Sequence, residues 1–222
     1  MGGVLPLTSI VRLMSDVETL TSALPSGGAV RPITRWGDPV MHRPQQSVTA
    51  FDDELGALVA DMVATMYAAD GVGLAACQIG VDRAVFVFDC PDDEGVHHQG
   101  VVCNPVLTLP EGRDRALDED DEGCLSLPGA FVDCARPDYA EVTGQDLRGE
   151  PVTHRGYGLL ARCLQHETDH CYGTVFGDRL NKRSRKKLYK QAEGFAESYP
   201  ATWPVDPPTS DIGASTATHT ER

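Results

Sequence analysis

Between residues 51 and 69 the apolar positions Phe51, Leu55, Leu58, Val59, Met62, Val63 and Met66 fall on one helical face, and Gly71 supplies a stop. The pattern then shifts to β-rich runs at Ala84–Phe88, Val101–Leu109, Phe131–Cys134 and Tyr139–Thr143, separated by turn or acidic residues. Helical spacing returns over 157–172, where Leu160, Cys163 and Leu164 make the stripe and Gly173 stands at the position of a C-terminal cap. A third helix is expected over 181–196. Because the strands come in one block between helices, the pattern predicts an α+β fold with antiparallel pairing, not a doubly wound parallel sheet.

The ends read differently. Residues 1–30 form an extension in which Ile10, Leu13, Met14, Val17, Leu20 and Leu24 predict a short amphipathic helix. Asp16 and Glu18 interrupt that stripe and argue against a secretory signal, and Pro6 stands where a myristoylation site needs Ser or Thr. From 197 to 222 the chain is rich in Pro, Thr, Ser and Ala, so disorder is expected there. The domain itself is placed at 31–196. The acidic run Asp118 to Glu122 reads as a solvated loop.

Composition narrows the class. Hydrophobic residues make up 41% of the chain and charged residues 23%, ordinary values for a globular domain able to bury a core. The formal charge of −14 speaks against a protein that wraps nucleic acid, and no specific DNA binding is expected. Cations do cluster at Arg179, Lys182, Arg183, Arg185, Lys186, Lys187 and Lys190. The simpler reading is the solvated face of a helix; the sharper one is a dock on an anionic partner such as ribosomal RNA. Seven cysteines at irregular spacing, with no Cys-x-x-Cys, read as reduced thiols rather than a disulfide framework. No apolar run approaches the length that spans a bilayer, and a cytoplasmic location is expected.

The chemistry concentrates at His166-Glu167-Thr168-Asp169-His170. Histidines four apart on a helix project from one face at metal-chelating distance, and the glutamate between them can reach a water on the ion. Two histidines packed together without a metal would also fit this short spelling. The apolar stripe on the same helix argues that these groups are partly buried, where they would need partners. A hydrolytic metal takes a third protein ligand and keeps one open position. His97 and His98 are adjacent in a loop and poorly placed to chelate together; Cys124, in a small-residue turn beside strands, offers a thiolate or is simply a buried small residue. The glycine-rich stretch 71–78 lacks the Gly-Lys-Ser/Thr of a phosphate loop, but it allows close backbone approach, and Gln78 offers an amide donor.

Taken together, GVGLAACQ at 71–78, EGCLS at 122–126 and QHETDH at 165–170 resemble the three motifs of the peptide deformylase family, in the family's order. The resemblance extends through Trp36-Gly37-Asp38-Pro39, Asn104-Pro105, Arg136-Pro137 and Gly173 to Arg179, and covers roughly residues 31–190. It implies antiparallel sheets packed around a central catalytic HExxH helix, with an N-terminal and a C-terminal helix. It implies Cys124, His166 and His170 as ligands of Fe²⁺, or of Zn²⁺, Ni²⁺ or Co²⁺, and Glu167 as the acid/base. Gln78 and the backbone N–H of Leu125 would polarise the formyl oxygen. Val72, Gly73, Leu125 and Cys163 would line the methionine pocket, and Asp169 with Arg136 would brace the ligand helix. The implied substrates are nascent polypeptides beginning with N-formylmethionine. Cys171-Tyr172 departs from the usual leucine and polar residue after the last histidine, which bears on local packing and not on ligation.

Two other readings stand beside this one. A zinc endopeptidase of the HExxH type would generally take His or Glu as its third ligand. A non-catalytic, metal-stabilised factor docking on the ribosome through 179–190 would have no need of Glu167 or Gln78.

Overall fold

The computed structural model describes residues 23–205 apart from residue 93. The short helix expected over 10–24 lies outside these residues except for its last two positions.

Helix α1 (Asp53–Ala68) begins where Asp52 accepts the Leu55 N–H at 3.1 Å, and Asp53 and Glu54 place negative charge on its first turn. Its buried face is Leu55, Val59, Met62, Val63 and Met66, the stripe read from the sequence. The chain leaves through Asp70, in the left-handed region at φ 53°, ahead of the glycine expected to stop the helix. There follow β1 (Gly73–Ala75), a 3-10 turn over Ala76–Ile79, β2 (Val85–Pro91), β3 (His97–Thr108), β4 (Leu117–Gly123), β5 (Phe131–Pro137), β6 (Tyr139–Gln145) and β7 (Pro151–Tyr157). Helix α2 (Gly158–Cys171) and helix α3 (Lys182–Gly194) complete the order. The fold is α+β, with antiparallel strands in a five-stranded sheet ordered β1-β2-β3-β6-β7 and a two-stranded sheet of β4 and β5.

Strand β2 shows how the layers are built. Its side chains alternate between two cores: Phe86 and Phe88 pack with Leu160, Ala161 and Leu164 of α2, while Val85 and Val87 pack with Val59, Met62 and Met66 of α1. The sheet therefore lies between the two helices, and α2 is enclosed so fully that every residue from Leu160 to Cys171 is buried. A third core joins β5 to α3 through Val132, Cys134, Phe176 and Leu188.

Three expectations are corrected, and one strand is added. The acidic run Asp118–Glu122 is strand, not loop: Asp118 pairs with Arg136 and Glu122 with Val132 across to β5. Backbone pairing forms it without apolar alternation, and its charges keep the outer edge from pairing further. Strand β7, unread in the sequence, has alternating exposure but only Val152 among aliphatic residues facing in, with Pro151 at its first position. His97 and His98 belong to the extended β2–β3 hairpin, where they bond to Asp89 and Asp92. The packed chain also exceeds 31–196 at both ends: Leu24 packs on the α1 core, and Trp203 is buried in it. No helix among the described residues is long and apolar enough to cross a membrane.

His154 faces inward from β7, edge-on to Phe88 at 4.9 Å between ring centroids. Burial, aided by His98, pushes its pKa down to about 4. Its unfolded value is about 6.5, so between those values the unfolded chain holds a proton that the folded chain lacks. The stability His154 contributes is complete above about pH 6.5 and is lost as pH falls towards about 4. His154→Gln should flatten the decline in unfolding free energy between pH 7 and 5, by on the order of 1–2 kcal/mol after allowance for its partial exposure. Urea denaturation of both chains at the two pH values measures it; parallel declines would contradict the assignment.

Candidate active site

Helix α2 carries His166 and His170 one turn apart, with their Nε2 atoms 3.2 Å from each other. The turn after β4 brings in Cys124, whose Sγ lies 3.4 Å from His170 Nε2. These three donors all fall within 4.8 Å of one another. Ligand bonds of about 2.0–2.3 Å in a tetrahedral arrangement separate donor atoms by roughly 3.3–3.8 Å, so the spacing suits a single ion. The chemistry agrees. Burial and the neighbouring His166 push the pKa of His170 well below its ordinary value, which keeps the imidazole neutral and able to ligate. Burial alone would do the same to His166, but Cys124 and Glu122 hold its proton and raise its pKa. A cation held by the three donors would take the place of that proton.

Glu122 sits behind His166, accepting or sharing a hydrogen with His166 Nδ1 at 2.7 Å. Its two oxygens also accept from Arg136 Nε and Nη2, both at 2.6 Å, and from Arg162 Nη1 at 3.0 Å. Burial would raise its pKa; Arg136 and His166 outweigh that and hold the carboxyl well below the usual range. Arg136 Nη1 then donates to Asp169 at 3.0 Å, and Arg179 pairs with the same carboxylate. Arg162 extends the chain of charges to Asp118 and to the Cys134 carbonyl. Desolvated charges of this kind persist only when each is paired and hydrogen-bonded, and here carboxylates and guanidinium groups alternate.

Glu167 stands apart from these hydrogen bonds. Its Oε2 is buried with no hydrogen-bond partner among the described residues. Burial first, then the charge of Glu122, raise its pKa to about 7 against the opposing pull of His166. Gly73 makes this placement sterically possible: a Cβ there would stand 2.6 Å from Glu167 Oε1 and 2.9 Å from Cys163 Sγ. Gln78 is oriented by its own backbone turn. Its Oε1 accepts the Ala75 N–H at 2.8 Å, which directs Nε2 towards Cys124 Sγ at 3.6 Å and Ser126 Oγ at 3.5 Å. Leu125 follows in a turn closed by the Leu127 N–H to the Cys124 carbonyl at 2.8 Å.

One cavity of about 630 Å³ gathers Val72, Gly73, Gln78, Cys124, Leu125, Cys163, His166 and Glu167 on its walls. His170 lies beneath it, fully buried. Asp169 and Arg136 face away: Arg136 and Arg179 line a larger cavity of about 880 Å³ beyond α2 that contains none of the three donors. The roles of Glu122 and Arg162 were missed in the sequence, although Glu122 opens the EGCLS segment and Arg162 precedes His166 by one helical turn. Phe131, Leu159, Tyr199 and Trp203 on the cavity wall were missed too. Of the basic stretch, Arg179 is drawn to Asp169 and Arg185 to the carbonyls of Gly177 and Asp178. Lys182, Arg183, Lys186, Lys187 and Lys190 remain exposed.

Comparison with known proteins places these features in context. The model of the polypeptide deformylase family matches residues 30–186. Peptide deformylase 1 of Streptomyces avermitilis is 54% identical over 201 residues, covering 89% of this chain and 93% of that one. The peptide deformylase of Mycolicibacterium paratuberculosis is 51% identical over 174 residues, covering 73% and 88%. Among solved structures, a peptide deformylase from Legionella pneumophila superposes with a TM-score of 0.67 at 38% identity, over 75% of this chain and 95% of that one. One from Synechococcus elongatus in complex with actinonin gives 0.66 at 36% identity, over 78% and 93%.

Proposed function

The chain belongs to the polypeptide deformylase family, and from that premise we propose that Cys124, His166 and His170 hold a divalent metal beside Glu167, which carries the proton of the reaction. The chain is a metal-dependent hydrolase that removes the N-formyl group from the N-terminal methionine of newly made polypeptides and releases formate. The observation that carries the residue assignment is the pairing of three converging donors with a buried carboxyl whose pKa lies near 7 and whose Oε2 has no hydrogen-bond partner among the described residues. One thiolate and two imidazoles suit Fe²⁺, and also Zn²⁺, Ni²⁺ or Co²⁺; Fe²⁺ is our assignment. Such an ion supplies Lewis acidity and brings the pKa of water towards about 7.

The chain's own groups then divide the work. Glu167, poised to exchange a proton near neutrality, takes one from the attacking water and returns it to the departing amine nitrogen. Gln78 Nε2, already aimed at the donor cluster, and the Leu125 N–H donate to the formyl oxygen as negative charge develops on it. Val72, Gly73 and Cys163 enclose the methionine side chain. Glu122 and Arg136 fix His166 in the tautomer that leaves Nε2 free for the ion, and Asp169 anchors Arg136 from the other side. Gln78→Ala should lower kcat by about 10²–10³-fold with the metal retained. Steady-state kinetics beside metal analysis measures this; a change confined to KM would remove Gln78 from the oxyanion role.

Formyl-Met-Ala-Ser and its unformylated counterpart test the reading together. Formate and intact Met-Ala-Ser from the first, with the second untouched, are expected; cleavage of either peptide internally would point instead to an endopeptidase. We place the enzyme in the cytoplasm, where such substrates emerge. The five exposed cations of α3 support a contact with ribosomal RNA, in contrast to the −14 charge of the whole chain. Salt-sensitive cosedimentation with ribosomes, weakened by reversing Lys186 and Lys187 to Glu, checks that contact.

A further inference from the structure

The cavity that holds the chemistry has a wall contributed from outside the family match. The matched region ends at residue 186, yet Tyr199 and Trp203 line the same cavity as Gln78, Cys124 and Glu167. They belong to a short strap after α3 that crosses back over the body of the domain. Its main chain is tied down where the Ile33 N–H donates to the Trp203 carbonyl at 2.9 Å. Arg35 fastens it from the side. Its Nη2 donates to the carbonyls of Tyr199 at 2.6 Å and Pro200 at 3.0 Å, and its guanidinium carbon stands 5.8 Å from the centre of the Trp203 ring.

The two aromatic residues have different stations. Trp203 is only 5% exposed and packs into the core with Met66 and Leu74. Tyr199 is half-buried and meets Trp203 edge-on, with ring centroids 5.1 Å apart. Trp203 thus anchors, and Tyr199 is presented. The inner end of the cavity is closed by groups such as Cys163, which is 4% exposed, while Phe131 and Leu159 at its rim are 54% and 42% exposed. A peptide whose formyl group reaches Glu167 must leave past that rim. Tyr199 shares the rim's partial exposure and packs with Ala69 and Leu125 on the same core.

We infer that Tyr199 is a specificity-determining residue that contacts the side chains following the initial methionine and favours large apolar or aromatic ones, with Arg35 and Trp203 as its positioning residues. The inference rests on the deformylase reading above. Its basis is an amphipathic ring packed on the buried Trp203, on main chain tied by Arg35, which leaves it less conformational freedom to lose when a side chain packs on it.

Formyl-Met-Gly-Gly and formyl-Met-Phe-Phe, which differ only after methionine, separate the outcomes. Tyr199→Ala should raise KM for the phenylalanine peptide about three- to tenfold. KM for the glycine peptide and kcat for both should stay within about twofold. Tyr199→Phe should restore the discrimination, and Arg35→Met should reproduce the loss more weakly by loosening the strap. The variants bracket the risk of misfolding, since Arg35→Met acts on the strap without touching the ring. Equal changes for both peptides, or a fall in kcat for both, would overturn the inference while leaving the deformylase reading intact. Absence of formate from the glycine peptide with the unaltered, metal-loaded chain would overturn that reading and this inference with it.

Discussion

Glu167→Gln should lower kcat by about 10²–10⁴-fold while metal content and fold are retained. The substitution preserves size and shape but removes a buried carboxyl poised to take and return a proton near neutral pH. Glu167 adjoins His166 in sequence, yet the proposed donor atoms are those of Cys124, His166 and His170, so the proposed ligation does not draw on its carboxylate. Its Oε2 has no hydrogen-bond partner among the described residues, so no buried contact is broken. A neutral amide also avoids the burial that pushes the Glu167 pKa to about 7, and the variant should unfold at a temperature no lower than its parent. Loss of metal together with activity would show that Glu167 holds the site together and does not act on the proton. Retained turnover would remove it from the reaction.

The largest effect on stability is expected at Arg136. Arg136→Met leaves Glu122 and Asp169 buried with a guanidinium removed from between them, each side chain only 3% exposed. Breaking a buried ion pair by removing one partner typically costs about 3–5 kcal/mol, a large part of the roughly 5–15 kcal/mol that holds a domain folded. Glu122 keeps Arg162 and His166, and Asp169 keeps Arg179, so the loss should stay near the lower end of that range. His166 would lose part of the support behind its Nδ1, and metal affinity should fall about 10–100-fold. Urea denaturation and competition with a chelator read the two effects separately. Arg179→Ala supplies the comparison, because that side chain is 44% exposed and its pairing weaker in consequence. Equal costs for the two variants would contradict the central place given to Arg136.

Local rules carried the sequence reading where spacing or a cap residue governs the backbone. Helix α2 was expected over 157–172 and spans Gly158–Cys171, because the apolar period and Gly173 both mark it. Gly173 adopts φ 76°, and a Cβ there would meet the Arg43 backbone at 2.2 Å. The histidine pair was equally legible, since separation by four residues fixes which face each side chain takes. What remained hidden depends on partners distant in sequence. A run of acidic residues looks solvated until β5 pairs with it and two arginines reach Glu122 from β5 and α2. The composition after residue 197 concealed Tyr199 and Trp203, whose burial comes from contact with Ile33, Arg35 and the α1 core. Arg162 gave no signal of its own, because a charged residue on a helix is ordinarily an exposed one.

Formate release as a function of metal added to the stripped chain tests the central claim most directly. With formyl-Met-Ala-Ser as substrate and Fe²⁺ added without oxygen, turnover should rise in proportion to metal and break at one equivalent per chain. The same titration of Cys124→Ala should show little turnover and no break. Formate release that is undiminished in the stripped chain, or that breaks at one equivalent without Cys124, would contradict the assignment of this site.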